Sequence, residues 1–443
     1  MSTETRFSFL TKAEHFFINR NFLLLWSGQV LSTFGDFLFG TTLILWMVTF
    51  IAPGRSWLPL AVSALILAQS LPRFLIQPLA GVFVDRWDKR RTMLWMDAIR
   101  AILISFLLFA SGILPIPFFP GGHLPLSWLL AIIYGVVFVA SVCTQFFAPA
   151  QFALIGDIVA ESELARASGW NLVVTNLAMI LGPALASPLL LGIGVSWTFG
   201  FNAFSFIISF LTMLLVHPSR EAGNAHTHSK GHIWLEFWEG LQFVSRNTVV
   251  RTLTISLMIA MFGLGALNVL DVFFLTQNLH APTVLYGFLS TAFGIGSIVG
   301  TALASPLVPR FGFTRAFWSS MIAVGALILV FARMTNFLSA LIVFGLLGIP
   351  NAANNVALEP LMLQITPRNL AGRVFAVLTP AWTLAYVVSV TLAGYAGSLV
   401  SWHVHMVILG ITFGPIDTIL IGTGLLVIVG GVFAMVSLRG ITQ

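Results

Sequence analysis

The sequence predicts an all-α polytopic membrane protein with twelve transmembrane helices, and three observations carry that prediction. Only 8% of the 443 residues are charged, while 58% are apolar before the 38 glycines are counted. An ordinary soluble domain has roughly 25% charged residues, and a soluble interior of this size cannot hide so much apolar surface from water. The apolar residues also come in runs of the length that a helix needs, about 20 residues at ~1.5 Å each, to cross ~30 Å of hydrocarbon. Finally, the basic residues gather in alternate loops. Together these exclude a soluble enzyme, a disordered chain and a disulfide scaffold. A membrane β-barrel is excluded too, because its strands alternate over about ten residues and no segment here does.

The runs are 22–50, 58–84, 92–114, 128–151, 168–194, 197–216, 250–278, 284–309, 315–333, 337–363, 373–399 and 408–436. The first, second and seventh are long enough to tilt or to project past the bilayer. With both termini on one side, all but four of the 21 Lys and Arg residues fall on that side. Arg55 and Arg333 lie opposite, and Arg73 and Arg100 lie inside spans. This bias places both termini in the cytoplasm and supports an even number of spans. The net charge of +6 therefore reads as orientation signal and not as a nucleic-acid surface. The N-terminus lacks a cleavable signal pattern. The single cysteine, Cys143, lies in an apolar run, permits no internal disulfide and reads as a packing residue.

Residues 217–232 form the longest polar stretch, with six spans before it and six after. The expected division is 1–216 as a first six-helix bundle, 217–249 as a cytoplasmic linker and 250–443 as a second bundle. After the polar stretch, Ile233, Trp234, Phe237, Trp238, Leu241 and Val244 share one helical face, with Glu236, Glu239 and Gln242 elsewhere. This suits a helix lying at the cytoplasmic membrane surface. His226, His228 and His232 in the linker, and His403 and His405 near the last span, are too loosely spaced to read as a metal site.

The halves match at several places in the same order. Arg20-Asn21 opens span one and Arg246-Asn247 opens span seven, an offset of 226. The loop after span two carries Gly81, Asp85, Arg86, Lys89, Arg90 and Arg91; the loop after span eight has Ser305, Pro309, Arg310 and Arg315 at an offset of 224. Leu164-Ala165-Arg166 matches Leu370-Ala371-Gly372 at 206, with Arg373 one place further on. A parallel duplication of six helices is a transporter device, with the substrate site near midplane between the repeats.

These residues resemble the major facilitator superfamily along essentially the whole chain. The strongest element is G-x-x-x-D-R-x-x-x-R-R at Gly81, Asp85, Arg86, Arg90 and Arg91, with Lys89 adding charge and Asp88 where Gly is usual. The resemblance implies a latch in which an acid at a helix end faces a basic tight turn. In the second half Pro309 replaces the acid, so a matching latch is expected to be lost. In span five, Gly169, Ala178 and Gly182-Pro183-Ala184-Leu185-Ala186-Ser187 resemble the superfamily's exporter-associated motif, with Ala178, Ala186 and Ser187 at usual Gly positions. Small residues allow close helix approach, and Pro183 removes a backbone hydrogen bond. The segments F-I-N-R-N-F-L-L-L-W-S-G-Q-V-L-S-T-F-G-D-F-L-F and Q-F-F-A-P-A-Q-F-A-L-I resemble the twelve-helix macrolide-efflux type of drug:proton antiporter. Enterobactin exporters and lysophospholipid carriers are similar too, so the resemblance implies transport better than it implies cargo.

An ionisable residue at mid-bilayer costs at least ~2.5–3.5 kcal/mol and must face a cavity or a partner. Asp36 lies fourteen residues past Phe22, roughly 21 Å along the helix. It reads either as a proton-coupling site or counter-charge for cationic cargo, or as a structural pair. Arg73 has no local partner; Asp36 is its expected one, and an Arg73 left free in the cavity would instead favour anionic cargo and the siderophore alternative. Asp97 and Arg100 can pair at i,i+3. Asn268 and Asp271, and Asp417, read as a polar outer rim. The polar cavity candidates are Gln29, Gln145, Asn171, Thr175, Asn351, Asn354, Asn355, Trp382 and Tyr386.

The expected function is secondary active export of bulky amphipathic compounds of the drug or macrolide class, by proton antiport and rocker-type alternating access. The expected partners are that cargo and the lipid bilayer, with no nucleic acid and a monomeric chain, in the plasma membrane of a prokaryote. No cofactor beyond a proton gradient is expected. No G-x-x-x-x-G-K-[ST] loop points to ATP, and no H-E-x-x-H or G-x-S-x-G points to an enzyme. The alternatives are a siderophore or lysophospholipid carrier of the same fold, or a membrane receptor that does not transport.

Overall fold

A computed structural model describes residues 18–84, 86–113, 124–217, 233–367, 370–399, 406–408 and 411–439. Among them are 12 helices long and apolar enough to cross a membrane. Spans one to six are Arg20–Ile51, Leu58–Leu75, Lys89–Ser111, Leu126–Ile158, Glu161–Gly192 and Val195–Leu214. Spans seven to twelve are Thr248–Asn278, Thr283–Phe311, Phe313–Ala332, Phe337–Ile365, Gly372–Leu399 and Pro415–Ser437. Large apolar side chains stand on their outer faces: Phe152 is 79% exposed and Trp197 68%. That placement suits hydrocarbon as the surrounding solvent.

Several elements differ from the expected ones. The run 58–84 is interrupted at Ile76 and continues as a separate helix, Gln77–Val84. Pro78 has no N–H to give to Phe74, so one bond of the ladder is missing at the break. Span four continues to Ile158, past the expected 151, because Pro149 is absorbed inside the helix. Span twelve begins at Pro415, not 408; Met406–Ile408 and Ile411–Phe413 instead pair as an antiparallel two-stranded hairpin. Pro415 in the first turn and Gly414 before it set that start.

The caps shift the register of the internal repeat. Asn247 caps span seven, accepting from the N–H of Val249 (3.0 Å) and Val250 (3.1 Å). In the first half the equivalent cap is Asn19, which accepts from Phe22 N–H at 2.8 Å. Asn21, the residue expected to match, bonds instead to the backbone of His217. The structural offset is therefore 228. Spans one and seven also both end in a π-helical turn, Met47–Ile51 and Phe274–Asn278.

The chain divides into two compact units, Met1–Leu43 with Leu75–His228, and Ile44–Phe74 with Ser229–Gln443. Within the first, span three packs against spans four and six. Trp26 of span one meets Trp170 of span five edge-on, with ring centroids 5.5 Å apart. Within the second, spans eight and ten approach so closely that a Cβ on Gly296 would strike the Gly345 carbonyl, and one on Gly348 that of Phe293. Small residues at such a seam let dispersion and backbone contacts replace the hydrophobic drive that lipid removes.

The amphipathic helix forms at Ile233–Arg246. It does not lie free: it packs on the start of span eleven, where Gly240 faces the backbone of Arg373 and Glu239 pairs with the Arg373 side chain. Val244 is buried, whereas Trp238 remains 64% exposed. The linker histidines His226, His228 and His232, together with His403 and His405, lie outside the described residues, as does Asp85.

Candidate functional site

Span three places Asp97 and Arg100 one turn apart, and both are buried. An Arg100 Nη donates to Asp97 Oδ1 at 2.5 Å, the i,i+3 geometry of a helix face. The other Asp97 oxygen accepts from Ser209 Oγ of span six at 2.7 Å. Ser209 in turn accepts from Gln29 Nε2 of span one at 3.2 Å. The Arg100 guanidinium sits between the Phe147 and Phe206 rings, 4.5 and 4.4 Å from their centroids. A desolvated cation–π contact stabilises by up to ~2 kcal/mol. The Nε of Arg100 is buried without a partner.

Asp36 enters this cluster from span one, its carboxylate 3.9 Å from the second Arg100 Nη. Its cation is thus Arg100 and not the expected Arg73; Arg73 is exposed and makes no ion pair among the described residues. The arrangement has a closed half and an open half: the Asp97 side chain is 0% exposed and that of Arg100 5%, but that of Asp36 is 45% exposed. Gly35 lets span one approach Asn202 and Ser205 of span six, where a Cβ would come within 2.8 Å of Ser205 Oγ. The buried Asn202 amide nitrogen lacks a partner.

The exporter-type motif packs beside Asp36. A Cβ on Gly182 would lie 2.7 Å from Phe37 Cβ and 3.0 Å from Leu38 N, so only glycine permits this approach of spans one and five. Pro183 is buried next to it. Gly169, by contrast, faces open space.

The basic loop is tied down by several contacts. Asp88, at the position where Gly is usual, caps span three by accepting from Arg91 N–H at 2.7 Å. Lys89 pairs with Asp157 at the end of span four at 2.7 Å. Arg90 donates to the carbonyls of Met213 and Leu214, at 3.1 and 2.6 Å, and so satisfies the end of span six. Trp87 stacks on Phe146 with centroids 5.7 Å apart. Arg86 is exposed, and Gly81 meets nothing within 4 Å.

The remaining polar candidates divide. Gln29 belongs to the Asp97 network, and Asn354 is buried, donating to Phe317 O and Ser320 Oγ of span nine. Gln145 and Thr175 bond back to their own helices, at Ser141 O and Asn171 O. Asn351 and Tyr386 are half-buried and Asn355 is exposed; the half-buried Trp382 holds its indole N–H without a partner.

Of the residues expected at an outer rim, Asn268 is exposed, whereas Asp271 is buried and accepts from Tyr286 Oη at 3.2 and 3.3 Å. Asp417 is held by Asn278, lies 3.6 Å from Arg333 and bonds the backbone N–H of Gly414, so it staples helix ends. Ser209, Asn202, Asp157 and Tyr286 were absent from the sequence reading. The available signal on span six was Asn202, Ser205 and Ser209, a polar stripe at i, i+3 and i+7 in an otherwise apolar run.

A profile of the transmembrane secretion effectors, a major facilitator family, matches residues 15–440. The chain belongs to this family. Among relatives of this chain, BacE of Bacillus amyloliquefaciens, a candidate bacilysin exporter, is 26% identical over 290 residues, 65% of this chain and 66% of that one. Macrolide efflux protein A of Enterococcus faecalis is 24% identical over 245 residues, 54% of this chain and 72% of that one. A bacterial homologue of the iron transporter ferroportin, solved in an inward-facing state, superposes with a TM-score of 0.71 at 16% identity, over 94% of this chain and 98% of its own. That likeness establishes the major facilitator fold. The chain is accordingly a multi-pass membrane transporter, with twelve spans among the described residues.

Proposed function

We propose that this protein exports bulky amphipathic compounds of the drug or macrolide class in exchange for protons, with Asp36 as the coupling group. One observation carries the reading. Two carboxylates, Asp36 and Asp97, share one guanidinium, that of Arg100. With all three ionised, one negative charge is left over in a membrane interior. A single proton balances it, and the carboxylate of Asp36, 45% exposed, exchanges that proton more readily than one locked between Arg100 and Ser209.

In this reading Asp97 positions Arg100, and Arg100 holds Asp36 weakly enough to let it go. Cargo and proton alternate at Asp36 because both relieve the same excess charge. Gly182 and Pro183 fix span five against Phe37 and Leu38, so movement of the exporter motif bears on the adjacent Asp36. The Lys89–Asp157 pair and the Arg90 contacts act as the cytoplasmic latch. The exporters among the relatives support the direction of transport. One charge falling through 100 mV supplies about 2.3 kcal/mol, which supports roughly a fiftyfold cargo gradient.

The test uses purified protein in vesicles with an imposed pH gradient. Proton flux is followed while macrolides, other amphipathic cations, lysolipids and catecholate siderophores are added in turn. Flux evoked by macrolides or amphipathic cations, and absent with the other two classes, supports the reading. Flux evoked only by siderophores or lysolipids replaces the cargo class. No flux with any class, from folded protein, favours a receptor.

A further inference from the structure

The second unit contains a buried acid that the proposed cycle does not use. Asp271 of span seven is 8% exposed. Tyr286 of span eight donates to its carboxylate, and the N–H of Val272 lies 2.7 Å from Oδ1. No cation pairs with it among the described residues. Asp417 has Asn278 and Arg333, Glu239 has Arg373, and Arg251 donates to Ser245 O. Arg55 and Arg73, at the two ends of span two, are exposed and make no ion pair among the described residues. The titratable groups that face Asp271 are Tyr286 and, within electrostatic reach on span eleven, Tyr386. Neither carries positive charge.

An uncompensated carboxylate in a membrane interior is costly, and two neutral donors do not replace a counter-ion. Span eleven packs closely on span two and on Leu270, the residue before Asp271. A Cβ on Gly397 of span eleven would lie 2.9 Å from Pro59 of span two and 3.5 Å from Leu270, the neighbour of Asp271. One turn earlier, a Cβ on Gly394 would strike Ser63. Such glycine-close packing next to Asp271 disfavours entry of a cargo amine, whereas a proton needs no such space.

We propose that Asp271 is a second proton-carrying site, occupied while Pro59 and Ser63 lie against Gly397 and Gly394 and emptied when those residues part. Tyr286 positions the carboxyl, donating to its carbonyl oxygen when the acid is protonated. The inference extends the proton-coupling reading to the second unit, and the two fail separately.

The experiment is infrared spectroscopy of the full chain in lipid at neutral pH, in light and heavy water, for wild type, Asp271→Asn, Asp36→Asn and Tyr286→Phe. The expected result is a carboxylic-acid carbonyl band that shifts in heavy water and is lost in Asp271→Asn. It persists in Asp36→Asn and moves to higher frequency in Tyr286→Phe, which keeps the acid and removes its donor. A wild-type spectrum unchanged by Asp271→Asn overturns the inference. So does a band lost only in Asp36→Asn, which leaves the coupling role of Asp36 standing. Should Asp271→Asn fail to fold, a band insensitive to Tyr286→Phe overturns it equally.

Discussion

Replacing Asp97 by Asn separates the structural from the coupling carboxylate. The substitution keeps volume and removes the charge that faces Arg100 at 2.5 Å, where the guanidinium side chain is 5% exposed. Stripping one partner from a buried pair costs about 3–5 kcal/mol, since the other charge stays buried. Asp36, now 3.9 Å away, can close to an ordinary charge-assisted distance of about 2.8 Å and recover about 1 kcal/mol of that. The predicted net loss is about 2–4 kcal/mol. At about 2 °C per kcal/mol for a chain of this size, the apparent melting temperature in detergent falls by about 4–8 °C. Asp36→Asn leaves the tighter pair intact and shifts it by no more than about 2 °C, the equivalent of 1 kcal/mol. The assay is thermal unfolding of the purified variants side by side. An Asp97→Asn protein as stable as wild type, with Asp36→Asn the unstable one, would refute the division of labour.

Other outcomes follow from the same contacts. Gly182→Val places a branched side chain against Phe37 and Leu38; overpacking of this kind costs about 1–3 kcal/mol, and cargo transport falls more than expression does. Lys89→Gln leaves stability within about 1 kcal/mol, because the pair with Asp157 is partly exposed; a Lys89→Asp, Asp157→Lys exchange restores whatever transport rate either single change removes. Gly296→Leu drives a side chain into the Gly345 carbonyl and abolishes folded protein in size-exclusion chromatography. Asn354→Leu removes the amide that donates to Ser320 Oγ and Phe317 O but leaves those two bonded to each other at 2.8 Å, so it costs about 0.5–1.5 kcal/mol, read as slightly earlier thermal aggregation with cargo affinity unchanged.

The twelve spans were legible because lipid imposes one rule along the whole chain: every crossing needs a long apolar run. Pairing across helices was not legible. Asp97 with Arg100 could be read, since three residues on one helix fix their geometry, whereas Arg100 with Asp36 depends on how spans one and three pack. Arg73 was preferred for Asp36 only because it was the unpaired cation in the sequence. Helix ends failed where one residue decides: Pro78 split span two, and Asn19, not Asn21, capped span one. The burial of Asp271 was not legible either, because it and the donor Tyr286 come from neighbouring elements.

The central claim is that Asp36 couples a proton to cargo without building the fold. It is tested most directly by labelled cargo in vesicles, comparing uphill accumulation under a pH gradient with exchange at equilibrium, for wild type and Asp36→Asn. The account predicts that Asp36→Asn still exchanges cargo but no longer accumulates it. Accumulation equal to wild type would contradict it.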